Sequence, residues 1–92
     1  MDKILNYIDG KLVEPISGNY LDNYNPSTGK VYSLIPDSDK LDVNIAIQAA
    51  KTAFVSWSKT PKQERSNILM KLADTIEKYS DDLIKAESKD NG

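Results

Sequence analysis

Neither cysteine nor histidine occurs anywhere in the 92 residues. Without cysteine there is no disulfide framework, no thiolate nucleophile and no sulfur-based metal site, and without histidine the commonest general base is missing. Glycine is scarce too. The four glycines stand at 10, 18, 29 and 92, so no G-x-G-x-x-G dinucleotide fingerprint can be written. No apolar run approaches the length of a membrane span, and Met1-Asp2-Lys3-Ile4-Leu5-Asn6-Tyr7 turns polar too soon for a signal peptide, which makes the cytoplasm the expected compartment. Twelve basic and fourteen acidic residues leave a net charge of -2, with lysines scattered from Lys3 to Lys89, so nucleic acid and anionic membrane are not expected partners.

What is present is the composition of a folded chain: 39% hydrophobic and 28% charged, too apolar overall for disorder. A chain this short buries only about three-fifths of the surface it exposes when unfolded, which is marginal for an independent domain. Up to residue 36 the punctuation is that of strands and turns. Asp9-Gly10 predicts a tight hairpin joining Asn6 to Ile8 with Lys11 to Val13. Asn25-Pro26-Ser27-Thr28-Gly29 predicts a second, joining Tyr20 to Tyr24 with Lys30 to Ile35, where Pro36 stops the strand.

From Asp39 the period lengthens. Val43, Ala46, Ile47, Ala50, Phe54 and Trp57 recur at three- and four-residue steps, the buried stripe of a helix, with Asp39 as N-cap and Asp42 at the positive end of the dipole. Thr60-Pro61-Lys62-Gln63 reads as the start of a second helix, with a capping hydroxyl, a proline at the first position and a glutamine placed to close a capping box. Its apolar face runs through Ile68, Leu69, Leu72, Ala73, Ile76 and Tyr79. Ser80-Asp81-Asp82 recaps a third helix that buries Leu83 and Ile84. The expected fold is therefore an α+β segment of an α/β enzyme, with hairpins over about 6–35 and helices over about 39–58, 61–79 and 80–91. It divides into a hairpin part, 1–36, and a helical part, 37–92. The helical faces are large for so short a chain, as at the opening of a larger domain.

Candidate chemistry is sparse. Asn25 to Lys30 ends in Gly-Lys like a phosphate-binding loop, but Tyr24 stands where glycine is needed and Val31 where Ser or Thr is needed, so a hairpin turn is the better reading. Phe54 and Trp57 could stack on a ligand, yet they continue the helix stripe and read as core or interface. Arg65 follows Glu64, and a surface ion pair is the plain account. Glu87 lies four residues after Leu83, leaning toward the buried side, and so calls for a cation: Arg65 or a group outside the chain.

The succession Tyr7-Ile8-Asp9-Gly10-Lys11, Asn25-Pro26-Ser27-Thr28-Gly29-Lys30-Val31, Ala49-Ala50-Lys51-Thr52-Ala53-Phe54-Val55-Ser56-Trp57, Glu64-Arg65-Ser66 and Glu87-Ser88-Lys89-Asp90-Asn91-Gly92 resembles, in order and spacing, the amino-terminal region of the aldehyde dehydrogenase superfamily. The resemblance covers essentially the whole chain. Tyr20 to Tyr32 and Ala86 to Asp90 look most like the branch acting on 2-aminomuconic or 2-hydroxymuconic semialdehyde, with betaine aldehyde dehydrogenases a near competitor.

The resemblance implies a parent enzyme that oxidises an aldehyde to a carboxylic acid. A cysteine thiolate attacks the carbonyl, hydride passes to NAD or NADP, and a glutamate-activated water releases the acyl group. In the family that machinery lies downstream, together with the Rossmann core, so these residues are expected to hold no catalytic or NAD(P)-binding group. The family's next residue after the final glycine is normally lysine, so the chain reads as stopping inside a motif. The resemblance also implies a structural K+ or Na+ ion held by backbone oxygens at Asn23 and Tyr24 and by Asp90, against the plainer reading of Asp90 as a solvated helix-end residue. Expected partners are the rest of the enzyme, a second copy of the chain and, for the parent, a small-molecule aldehyde. The contrasting expectation is a stand-alone helical module that binds another protein through its exposed stripe.

Overall fold

A computed structural model describes residues 1–92. Strand β1 (Asp2–Lys3) is followed by the hairpin of β2 (Asn6–Ile8) and β3 (Lys11–Val13), then by the hairpin of β4 (Tyr20–Asn25) and β5 (Lys30–Pro36). Three helices complete the chain: α1 (Lys40–Trp57), α2 (Lys62–Lys78) and α3 (Ser80–Asn91). The α+β reading is borne out, with helix ends within a residue or so of those expected.

In the first hairpin Asn6, Tyr7 and Ile8 face Val13, Leu12 and Lys11. Asp9 and Gly10 both take positive φ, 53° and 74°, as a two-residue primed turn requires. In the second, Tyr20 to Asn25 pair antiparallel with Lys30 to Pro36. Its turn closes on itself. The Asn25 carbonyl accepts from the amides of Thr28 and Gly29, the Asn25 side chain accepts from the Ser27 amide, and the Thr28 hydroxyl accepts from the Lys30 amide. Strand β1 has no counterpart in the sequence reading; it adds in parallel to β5, Asp2 and Lys3 facing Ser33 and Leu34, which makes β5 the centre of a β1-β5-β4 sheet.

Helix α1 starts as expected, and more firmly. Asp39 caps it, accepting from the Leu41 amide at 2.9 Å, and Asp42 returns the bond by accepting from the Asp39 amide at 3.0 Å, a complete capping box. The capping box expected at Thr60 does not form. Pro61 is itself the N-cap of α2, and the Thr60 hydroxyl instead donates backwards to the Ser56 carbonyl at 3.2 Å. Pro61 has no N–H for the Gln63 side chain to accept from, and Gln63 instead donates along its own helix to Asn67. The expected recap by Ser80-Asp81-Asp82 is likewise absent: Tyr79, at φ -102° and ψ 19°, ends α2 and begins α3 with no side-chain bond.

These elements do not close a core. Pro15, Ser33 and Asp42 are the buried residues, and no large hydrophobic side chain is fully covered. The radius of gyration is 16.7 Å, against about 12 Å for a compact chain of this length. The molecule is a slab of 48 × 34 × 16 Å. Phe54, expected in a buried stripe, is 64% exposed, and Trp57, Leu69, Leu72, Ile76 and Leu83 are also open. The stripes have the right helical period, but the surfaces that would cover them are not supplied by these 92 residues.

Candidate functional site at the end of the third helix

Helix α3 runs back over the three-stranded sheet, so that its last turn reaches β4 and β5. There Oδ1 of Asp90 accepts from the Tyr32 hydroxyl at 2.7 Å and from Nδ2 of Asn23 at 3.0 Å. The same Asn23 nitrogen also donates to the Ser33 hydroxyl at 3.0 Å. Neighbouring strand residues ordinarily face opposite ways, yet Tyr32 and Ser33 both contribute to this cluster. The reason is a bulge. Asn23 pairs with Ser33 and Tyr24 with Val31, which leaves Tyr32 as the extra residue and re-aims it.

The Nζ of Lys89 lies 4.6 Å from the centre of the Tyr32 ring, adding a cation–π contact to the same corner. Gly92 is held as well, since the Ser27 hydroxyl donates to its carbonyl at 3.2 Å.

The electrostatics follow from these bonds. The Tyr32 hydroxyl, and after it the Asn23 amide, hold the Asp90 carboxyl below its ordinary 3.8. The same bond to Asp90 raises the Tyr32 phenol above its ordinary 10.0. Asp90 is therefore an ionised acceptor at physiological pH and Tyr32 a protonated donor. Beside it a cleft of about 630 Å³ separates α3 from the sheet, with Ile4, Ile35, Leu83 and Ala86 on its apolar walls and Glu87 at its edge.

Of the residues singled out from the sequence, Asn23 and Asp90 are thus in hydrogen-bond contact across 67 positions of chain. Asp90 is not a merely solvated helix end. Tyr24 is exposed and outside these bonds. No group of three acidic, histidine or cysteine side chains is arranged to hold a metal. Tyr32 and Ser33 escape the sequence reading, because strict alternation would send them to opposite faces and only the bulge unites them.

Two expected ion pairs are absent. Glu87 does not meet Arg65, and Glu64 does not either, since Lys3–Glu14 at 3.8 Å is the one salt bridge. Instead Nε of Arg65 is shielded from solvent with no partner. In the Asn25–Lys30 turn, the amides that would cradle a phosphate are spent on the turn itself, so the hairpin reading holds.

With this geometry in view, the comparison with known proteins defines the class. The aldehyde dehydrogenase family profile matches residues 12–92, and the chain belongs to that family. Among its relatives, the 2-aminomuconic semialdehyde dehydrogenase of Danio rerio is 49% identical over 87 residues, and that of Bos taurus 48% over the same length. In both cases the match covers 95% of this chain and 18% of the relative. A long-chain-aldehyde dehydrogenase of Acinetobacter sp is 41% identical over 91 residues, 99% of this chain and 18% of the relative. The chain therefore spans about a fifth of the length of the relatives it matches, and the resemblance carried by five short motifs is borne out.

Proposed function

We propose that these residues form the amino-terminal part of a longer NAD(P)-dependent aldehyde dehydrogenase that oxidises a muconic-type semialdehyde to the carboxylate, and that they do not catalyse the reaction themselves. The observation that carries the substrate class is the identity of 48–49% to two 2-aminomuconic semialdehyde dehydrogenases, against 41% to the long-chain-aldehyde enzyme. The open helical faces support the rest of the reading, being sized for burial against more polypeptide. So does Arg65, whose shielded and unpartnered Nε is costly unless an acceptor comes from beyond these residues. The 92 residues offer NAD(P) no phosphate cradle, and we assign the cofactor to the remainder of the enzyme, in the cytoplasm.

The chain's own contribution is scaffolding: two hairpins and a helical layer tied together at Asp42 and Asp90. The donor set at Asn23, Tyr24 and Asp90 suits a singly charged hard cation in kind, with one ionised carboxylate and two backbone oxygens. We propose K+ or Na+ there in the longer enzyme, where further oxygens complete the shell.

The test is to read the gene past Gly92 and assay the full product for NAD(P)H formation with 2-aminomuconic-type semialdehyde, betaine aldehyde and a long-chain alkanal. A higher kcat/KM for the semialdehyde is expected. Preference for either competitor overturns the substrate class, and a stop codon directly after Gly92 overturns the enzyme reading in favour of a stand-alone protein-binding module.

A further inference from the structure

The carboxylate of Asp90 and the ammonium of Lys89, neighbours in the chain, do not pair. The one salt bridge is Lys3–Glu14, and the Lys89 ammonium sits instead over the Tyr32 ring, 4.6 Å from its centre. Neutral donors alone meet the carboxylate: the Tyr32 hydroxyl at 2.7 Å and Nδ2 of Asn23 at 3.0 Å, both on Oδ1. Oδ2 accepts from no group of the chain.

Tyr32 thus acts on this charge twice. Its hydroxyl, with Asn23 as the second donor on the same oxygen, stops the carboxylate from turning without breaking a bond. Its ring takes the nearest ammonium, the negative face of the aromatic standing in for the carboxylate. Both effects need the bulge at Asn23 and Tyr24, since an unbroken strand would aim Tyr32 away from Ser33 and Asn23.

The lysine matters because it is tethered. Successive helix residues point different ways, but a lysine on its flexible stem reaches the carboxylate of its neighbour once the ring is gone. A tethered ammonium is present at a fixed effective concentration, whereas K+ or Na+ is present only as the solution supplies it. What diverts the lysine therefore decides how well an ion competes for Asp90.

We propose that Tyr32 is the positioning residue of the cation site, fixing Asp90 through one carboxylate oxygen, leaving the other for the ion, and keeping Lys89 from taking the ion's place. This rests on the assignment of K+ or Na+ to Asn23, Tyr24 and Asp90, whose hard oxygen donors suit such an ion.

The full enzyme, read past Gly92, is titrated with KCl and with NaCl at constant ionic strength, balanced with tetramethylammonium chloride, and the rise in Tm gives the half-saturating concentration. Tyr32→Leu, which removes hydroxyl and ring, is expected to raise that concentration by about tenfold or more. Tyr32→Phe keeps the ring and should raise it less. It also tests the hydroxyl should the leucine variant fail to fold. Lys89→Gln added to Tyr32→Leu should bring the value back to that of Tyr32→Phe, a rescue that a merely structural tyrosine does not predict. Rubidium occupancy beside Asp90 in crystals of the same variants should follow the same order. Equal half-saturation in wild type and the Tyr32 variants overturns the inference and leaves the cation reading standing. A loss in Tyr32→Leu that Lys89→Gln does not restore overturns the competition with lysine. A wild type with no ion response and no rubidium peak overturns the cation reading and this inference together.

Discussion

The backbone amide of Ile16 donates to Oδ1 of Asp42 at 2.9 Å, across 26 positions of chain. The other oxygen of the same carboxylate accepts from the Asp39 amide and so completes the cap of α1. Asp42 is 4% exposed, so one buried side chain both starts the helix and ties it to the segment after β3. Asp39→Ala removes a cap alone and should cost about 1 kcal/mol. Asp42→Ala should cost more, because it also strands the Ile16 amide, and it should uncouple the hairpin from α1. Urea midpoints for the two variants, compared with wild type, check the order; equal losses would show that the Ile16 bond contributes nothing.

Acid should loosen the chain through two identified groups. The amides of Asp39 and then Ile16 hold Asp42 below its ordinary 3.8, and Tyr32 and Asn23 do the same for Asp90. Below that ordinary value the unfolded chain takes up protons that the native carboxylates refuse, so unfolding is favoured as pH falls. The contribution of both groups is therefore complete above about pH 4 and lost as pH drops through their native values. Thermal melts between about pH 2 and about pH 6 should show this decline. Asp42→Asn with Asp90→Asn should be less stable near neutrality and flatter on the acid side.

At the alkaline end the same pair acts in reverse. Tyr32 is raised above 10.0 by its bond to Asp90, so its contribution is complete below that value and lost as pH rises through the native one. Tyr32→Phe should remove this alkaline loss. At neutral pH it should speed amide exchange in the last turn of α3 while sparing α1. Hydrogen exchange followed by mass spectrometry distinguishes that outcome from general destabilisation.

The first hairpin depends on a left-handed glycine. Gly10 at φ 74° has no atom within 4 Å of the place a Cβ would take, so the penalty for Gly10→Ala is one of backbone conformation, about 1–2 kcal/mol. Chemical shifts of Tyr7 and Leu12 should lose their strand character in this variant. Gly92→Ala should add a contact to the same backbone penalty, since Gly92 sits at φ 81° and its Cβ would meet Pro26 at 3.0 Å.

For the proposed cation, a crystal of the longer enzyme soaked in rubidium should show an anomalous peak beside Asp90, and Asp90→Asn should abolish it. A site equally occupied in the variant would remove Asp90 from the ligand set.

Local chemistry was readable where a short stretch is self-sufficient. Asp9-Gly10, Asn25 to Gly29 and Asp39 to Asp42 each satisfy their own backbone groups within a few residues, so their residue types were enough to place two hairpins and a helix start. The same logic failed at Thr60, whose hydroxyl bonds back to the Ser56 carbonyl, and at Ser80, and the chain entered both helices without a side-chain cap. Family membership was legible too, because motif order is a property of the chain itself.

Contacts between distant residues were not. Asp42 could be read as a dipole partner but not as the anchor of Ile16, and β1 is too short to announce itself as a strand. Asn23 and Asp90 were linked by resemblance alone, while Tyr32 joined them only through a bulge that breaks the alternation. The period of α1 showed which residues want burial but not whether anything buries them. Periodicity and turn chemistry are settled by bonds among near neighbours. Register, bulges and coverage depend on surfaces brought together over tens of residues, and those the folded structure alone decided.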